Sequence, residues 1–390
     1  LTAPEPANGP LSCRDADDQV FIDLALATRC RWLLSRDRAL WLIGASREHP
    51  SDDHLYTLPA AGGTLTRLTS EPGRHEGALS PDGRRLAVTH SRNDQLPDLW
   101  IRDVAGGVAG GTGVRVTQSG SDNYWRHAWR RPETVTIPHP DGGVTWAGLY
   151  RPARPHPRHP AIIYVHGGGY RQFAHHGWSV YGFSHASHYG MINWLVQQGY
   201  TVLDFDYRGS AGYGRDYRTD IHRSMGVKDV DGAVAAARWL VRTQGVDSSR
   251  IGIYGVSYGG FMTLMSLFRY PGTFAAGISA AGVTDWAHYS DSWTSRILGR
   301  PADDSAAYAI SSPINHAAGL RDPLLIEHGL IDDNVQFQDA ARLVQRLLEL
   351  GKDFETIYYP AEPHVIEGEA SLVDFHKRLA SFFRRHLLDK

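Results

Sequence analysis

The chain changes rhythm about a third of the way along. Up to roughly residue 122, short alternating or apolar runs such as "DHLYTLPAAGGTLTRLT", "ALSPDGRRLAVTH" and "PDLWIRDV" are separated by turn residues. Gly62-Gly63 and Pro81-Asp82-Gly83 read as hairpin turns, so this part predicts strands joined by tight connections. From about residue 133 the runs become compact and buried in character: "AIIYVHGGG", "TVLDFDYRG", "RIGIYG", "AAGISAAG", "PLLIEHG" and "ETIYYP". Helical spacing lies between them. Phe337, Ala341, Val344 and Leu348 form one stripe over 335–350, with Gly351 placed to end it. Leu372, Phe375, Leu379 and Phe382 form another stripe near the carboxyl end. Alternating strands and helices predict a mostly parallel sheet covered on both faces, with chemistry at the carboxyl ends of its strands.

Two domains are therefore expected, a strand-rich segment over 1–130 and an α/β domain over 131–390. Two units of about 40 residues and four strands can be laid over 28–118, in the manner of β-propeller blades. Closing a propeller takes about four blades or more, so the segment reads as a partial propeller of two.

Composition narrows the function classes. The formal charge of −2 and pI near 6.9 offer nothing for nucleic acid or an anionic membrane to recognise. No apolar run reaches the length of about 20 residues that spans a bilayer. Cys13 and Cys30 give neither a disulfide framework nor metal-ligand spacing. The chain opens at Leu1 without a methionine, which leaves its compartment open.

The chemistry begins in "RIGIYGVSYGGFMTLM" at 250–265, where Gly255, Ser257, Gly259 and Gly260 fall between a strand pattern and a helix pattern. G-x-S-x-G at that junction is a nucleophile elbow, a sharp turn that raises a serine hydroxyl above the sheet. A serine needs an imidazole to take its proton and an acid to hold that imidazole in the right tautomer. In the α/β-hydrolase order the acid and histidine follow the serine. Asp332 or Asp333 in "LLIEHGLIDDNVQF" and His364 in "ETIYYPAEPHVIEG" occupy loops after later strands. Either aspartate also suits a helix cap near Val335. An oxyanion needs fixed N–H donors, for which the backbone of Tyr258 and the glycine loop "YVHGGGY" are candidates. "AHHGWSVYGFSHASHYG", with His175, His176, His185 and His188, contains no complete metal-ligand set and reads as a polar, aromatic loop over the active-site mouth. Arg208 reads as an ion-pair residue.

Residues 133–390 resemble the catalytic domain of the prolyl oligopeptidase family of serine peptidases, on its dipeptidyl-peptidase and acylaminoacyl-peptidase side. The resemblance runs through "VHGGG", "DYRGSAGYGRDY", "GVSYGGFMTLM", "VTDWAHY", "SSPINHA", "LLIEHGLIDDNVQFQ" and "GKDFETIYYP". It implies an α/β-hydrolase fold, no cofactor, and a peptide or small acyl substrate. It makes Ser257, Asp332 and His364 the catalytic residues and gives Asn334 a part in binding the substrate carbonyl. Tyr258, Val283, Trp286, Tyr289 and Trp293 would wall the pocket for the residue before the scissile bond, often proline. Where dipeptidyl peptidases place an oxyanion tyrosine this chain has His166, so the resemblance makes His166 and, more so, the main chain of Gly168 oxyanion candidates beside Tyr258, with Tyr170 as a side-chain alternative. Pro363 and Val365 flank the histidine in place of the family's acidic residue and glycine, with Glu362 nearby. The acidic pair that holds a substrate amine in dipeptidyl peptidases falls in an upstream propeller segment not found here. The expectation is an open front side that accepts amino-blocked substrates. Open blade edges would favour self-association or pairing with that upstream segment. An ester hydrolase on the same triad and a non-catalytic interaction protein are the alternative functions.

Overall fold

The computed structural model describes residues 39–45, 49–59, 66–105, 108–109, 113–178 and 183–390. Cys13, Cys30 and the Gly62-Gly63 turn lie outside them. The chain forms two compact units divided between Arg131 and Pro132, with residues 175–180 and 212–216 belonging to the first unit.

In the first unit, β1 (Ala39–Ala45), β2 (Asp53–Pro59) and β3 (Thr66–Arg67) pair antiparallel around β2. A second antiparallel group contains β4 (Arg74–Leu79), β5 (Arg85–Arg92), β6 (Gln95–Ala105), β7 (Val108–Ala109) and β8 (Val114–Arg115). One parallel register, Asp53 with Arg74, joins the two groups into a single sheet. The β4–β5 turn follows the sequence signal: Gly83 takes φ +69° and its N–H donates to Ser80 O at 2.9 Å. Leu55, Leu68, Leu86 and Val88 form the small core of this unit.

The second unit is built on eight strands. They are β9 (Glu133–Pro138), β10 (Val144–Tyr150), β11 (Ala161–Val165), β12 (Thr201–Asp206), β13 (Ile251–Val256), β14 (Ala276–Ala280), β15 (Leu324–Gly329) and β16 (Glu355–Tyr359). Across the sheet the order is β16-β15-β14-β13-β11-β12-β10-β9. Strands β11 to β16 run parallel, and β10 is antiparallel to both its neighbours. Its principal helices are α1 (Phe183–Gln197), α2 (Lys228–Gln244), α3 (Tyr258–Arg269), α4 (Asp291–Leu298), α5 (Gln338–Glu349) and α6 (Glu369–Phe383).

Strand alternation sorts side chains to the two faces. Ile163, Val165, Leu203, Phe205, Ile251 and Ile253 share one core with residues of α2 and α3. Tyr164 and Tyr254 point to the other face, against His188 of α1 and Phe383 of α6. Each aliphatic or phenyl side chain so buried contributes about 1.5–3 kcal/mol. Helix α3 is buried from Tyr258 through Phe268, on all its faces and not along a single stripe.

Helix α5 differs from expectation in its start and its face. It begins at Gln338, and it buries Ala340, Leu343 and Leu347 while Leu348 is 60% exposed. The buried face is itself an apolar stripe, Ala340, Leu343 and Leu347, and Asp339 lies beside it, its buried carboxylate accepting the main-chain N–H groups of Thr284 and Asp285 at 3.1 and 3.0 Å. Gly351 ends the helix at φ +62° as expected.

Candidate active site

Strand β13 lies inside the sheet between β11 and β14, and the chain leaves it through Ser257 at φ +62°, ψ −119°. A β-carbon on Gly259 would stand 2.1 Å from Val165 O, and one on Gly255 would stand 2.2 Å from the same atom. Only glycine lets strand, elbow and helix close on each other at this distance. Ser257 N–H donates to Ala280 O at 2.8 Å, and Ser257 O accepts from Phe261 N–H at 2.9 Å. Both main-chain groups are occupied, which leaves the hydroxyl as the reactive part.

Asp332 follows β15 and His364 follows β16, both in loops at the carboxyl ends of parallel strands. His364 Nδ1–H donates to Asp332 Oδ2 at 2.8 Å. Asp332 Oδ1 accepts from Asn334 and Val335 N–H, each at 2.9 Å, so one carboxylate both caps this turn and orients the imidazole. Asp333 is exposed. Sequence reasoning passed over His328, whose Nε2–H donates to Val335 O at 2.7 Å and lies 3.2 Å from Asp332 Oδ2. Burial opposes ionisation of Asp332, but the hydrogen bonds from His328 and His364 outweigh it and hold the carboxyl well below the usual range.

The histidine loop is pinned from within. Glu362 Oε2 accepts from Glu367 and Gly368 N–H at 2.9 and 3.1 Å, which closes the loop around His364. Glu362 therefore supplies the local order in a loop where Pro363 and Val365 break the family pattern.

Ser257 and His364 line one cavity of about 540 Å³, together with Gly168, Tyr258, Val283, Trp286, Tyr289, Trp293 and Asn334. Trp286 and Trp293 stack at 5.5 Å and 27°, and Tyr289 meets both edge-on. Tyr289 O–H donates to Asn334 Oδ1 at 2.6 Å, tying the aromatic wall to the turn after Asp332. Tyr258 O–H donates to Asp229 Oδ2 at 2.7 Å, and burial pushes that carboxyl up to about 6. The phenol is thereby engaged below the cavity, while the residue's main chain begins α3 beside Ser257.

His166 departs from expectation. It is fully buried, stacked between Phe173 at 4.5 Å and Tyr207 at 4.3 Å, and its Nε2 shares a hydrogen bond with Ser210 Oγ at 2.8 Å. The ring packs beside the glycine loop and is not among the residues that line the cavity. Gly167 packs on the elbow, where an added β-carbon would stand 2.7 Å from Val256 O, and Gly168 adopts φ +65°.

The cavity also holds groups that the motifs did not announce: Arg171 just after the glycine loop, Glu327 at the end of β15, His188 and His376. Burial pushes Glu327 up to about 8 and lowers His188 to about 3 and His376 to about 4, so all three are neutral near pH 7. His188 lies on helix α1 against Tyr164, at 4.9 Å between rings, and not on a loop. Arg208 Nη2 donates to both carboxylate oxygens of Asp141, at 3.0 and 3.2 Å, an ion-pair residue as expected.

A serine on an elbow, a carboxylate-bound histidine and a glycine loop facing one cavity is the arrangement that acyl transfer needs. The profile of the prolyl oligopeptidase family matches residues 186–390, more than half of the chain. The chain belongs to the prolyl oligopeptidase family. The match to that family begins within α1 and contains Ser257, Asp332 and His364, while the glycine loop precedes it. Among similar proteins, a probable dipeptidyl-aminopeptidase B of Aspergillus terreus is 29% identical over 360 residues, 88% of this chain and 38% of that one. Human dipeptidyl peptidase 8 is 29% identical over 378 residues, 90% of this chain and 39% of that one. The crystal structure of Porphyromonas gingivalis dipeptidyl peptidase 4 is similar with a TM-score of 0.79 and 26% identity, covering 90% of this chain and 48% of that chain. The chain thus spans about two fifths of the length of these curated relatives. Its second unit carries the α/β-hydrolase fold.

Proposed function

We propose that this protein is a serine peptidase that hydrolyses short peptides through an acyl-enzyme. The observation that carries the reading is His364 bound to Asp332 at 2.8 Å in the cavity that receives Ser257 from its elbow. Ser257 Oγ attacks the scissile carbonyl carbon and His364 accepts the hydroxyl proton. Asp332, still ionised, stabilises the imidazolium. The oxyanion is held by the N–H groups of Tyr258 and Gly168, an arrangement that lowers such barriers by several kcal/mol. His364 then protonates the leaving amine, and water deacylates Ser257 by the same steps in reverse. Val283, Trp286, Tyr289 and Trp293 receive the residue before the scissile bond, for which proline or another small apolar residue offers the best fit to aromatic walls. Asn334, held by Tyr289, binds the carbonyl of the preceding residue. In the first unit, the two antiparallel groups of strands are read as propeller-type blades. Names of the similar proteins add the expectation of dipeptide release.

A fluorophosphonate probe tests the reading. The wild type is labelled and Ser257→Ala is not; a folded wild type that resists labelling overturns it. Comparing an aminoacyl-proline amide with an aryl ester then decides between peptidase and esterase chemistry. Rapid turnover of the ester alone removes the peptide assignment.

A further inference from the structure

His49, Asp52 and His176 meet in the first unit, brought there by two segments far apart in sequence. His49 and Asp52 sit on the turn before β2, where Asp52 N–H donates to His49 O at 3.2 Å. The main chain of His176 is fixed on both sides. Its N–H donates to Ser51 O at 2.7 Å, and its carbonyl accepts from Asn93 N–H at 2.9 Å. The Asn93 side-chain amide also binds the carbonyls of His175 and Gly177, each at 3.0 Å. Backbone contacts therefore bring the three residues together.

Their ligand atoms all lie within 4.8 Å of one another. Asp52 Oδ1 is 2.9 Å from His176 Nδ1, and Asp52 Oδ2 is 4.0 Å from His49 Nδ1. Bonds of about 2.0–2.2 Å in a tetrahedral site put ligand atoms roughly 3.3–3.6 Å apart. The observed spacings bracket that range, so small side-chain rotations close the site. Ser51 N–H donates to His49 Nδ1 at 3.4 Å, a long bond that a cation at that nitrogen would replace. Gly73 N–H donates to Asp52 Oδ1 at 2.7 Å and fixes the carboxylate from behind, as second partners do in metal sites.

We propose that His49, Asp52 and His176 bind one divalent transition cation of the zinc class. Two imidazoles and one carboxylate suit zinc, cobalt or nickel, whereas calcium and magnesium demand oxygen donors. The ion takes the place of the proton between His176 Nδ1 and Asp52, and that proton moves to His176 Nε2 by tautomer exchange. Side-chain exposures of 42%, 14% and 26% for His49, Asp52 and His176 give the ion an approach and leave room for water in its remaining positions. The ion ties residue 176 to the turn before β2 and stabilises the first unit by mass action. It stands apart from the proposed peptidase chemistry and does not rest on it.

The test uses the full chain without an affinity tag, stripped with chelator. Zinc is titrated by calorimetry, and cobalt by its visible absorption. One equivalent should bind with the absorption of tetrahedral cobalt, and zinc should raise the melting temperature. His49→Ala and His176→Ala should each weaken binding by at least about tenfold and abolish the thermal shift. His49→Ala removes a half-exposed ring, so it remains informative should His176→Ala fold poorly. Zinc bound at the catalytic histidine would persist in His49→Ala, which separates the two events. Binding of equal strength in wild type and His49→Ala, or none in the wild type, overturns the proposal.

Discussion

His328 and His364 share one oxygen. Their Nε2 and Nδ1 atoms lie 3.2 and 2.8 Å from Asp332 Oδ2, while Oδ1 is occupied by two main-chain N–H groups. This carboxylate is saturated, buried and fixed, and it is the only one of the adjacent aspartates that is. Asp332→Asn should lower kcat about ten-thousandfold by misplacing the tautomer of His364. Asp333→Asn should leave activity nearly intact. His328→Phe, which removes one donor from Oδ2, should fall between them with about a tenfold loss. Steady-state kinetics on one peptide substrate rank the three, and any other order refutes the assignment of the acid.

Glu327 gives a pH dependence of definite sign. Burial pushes its carboxyl up to about 8 in the folded chain, against an ordinary value of 4.5. Its contribution to stability is fully present below the ordinary value and is lost as pH rises through about 8, because the unfolded chain gives up the proton first. Glu327→Gln mimics the protonated state at every pH. Melting temperatures of variant and wild type should therefore agree near pH 4, with the variant ahead by a margin that grows up to about pH 8 and is level above it. A margin that shrinks with rising pH would mean that Glu327 is ionised in the folded protein.

The parts of the site that could be read from the sequence are those in which local chemistry and strand position coincide. Ser257, Asp332 and His364 each follow a compact apolar strand, and a parallel sheet brings such positions to one edge. What tertiary packing decides was hidden. The glycine loop implies main-chain donors, but the direction of the His166 ring depends on Phe173 and Tyr207, neither adjacent to it in sequence. Asp339 of α5 is buried and binds residues 284 and 285, a contact that no helical spacing announces. His176 lies 124 residues from Asp52, so no spacing rule could join them.

Two glycines should respond in opposite directions to the same change. Gly259→Ala brings a β-carbon to 2.1 Å from Val165 O, a backbone atom in a central strand that cannot move aside cheaply. The elbow should open, with loss of fluorophosphonate labelling and a destabilisation of about 3 kcal/mol or more. Gly190 sits in helix α1 with open space where a β-carbon would go. Gly190→Ala should stabilise by about 0.5–1 kcal/mol, since it relieves the unfolded chain of conformational freedom. Chemical denaturation measures both, and a destabilised Gly190→Ala would contradict the open space beside α1.

The aromatic wall separates recognition from packing. Trp286 is buried to 2% exposure, whereas Trp293 is half-buried on helix α4 and stacks on it at 5.5 Å. Removing Trp286 creates a core cavity, so Trp286→Ala should cost about 3–5 kcal/mol of stability and obscure any effect on substrate choice. Trp293→Ala removes a wall with less damage to the core. If that wall reads the acyl residue, the ratio of kcat/KM for a prolyl over an alanyl amide should fall about tenfold while unfolding stability changes little. Tyr289→Phe tests the other end of the wall. It breaks the 2.6 Å bond to Asn334 without removing the ring, so the prolyl ratio should hold while KM rises for both substrates. A prolyl preference that survives Trp293→Ala would place discrimination with the remaining wall and remove Trp293 from the substrate pocket.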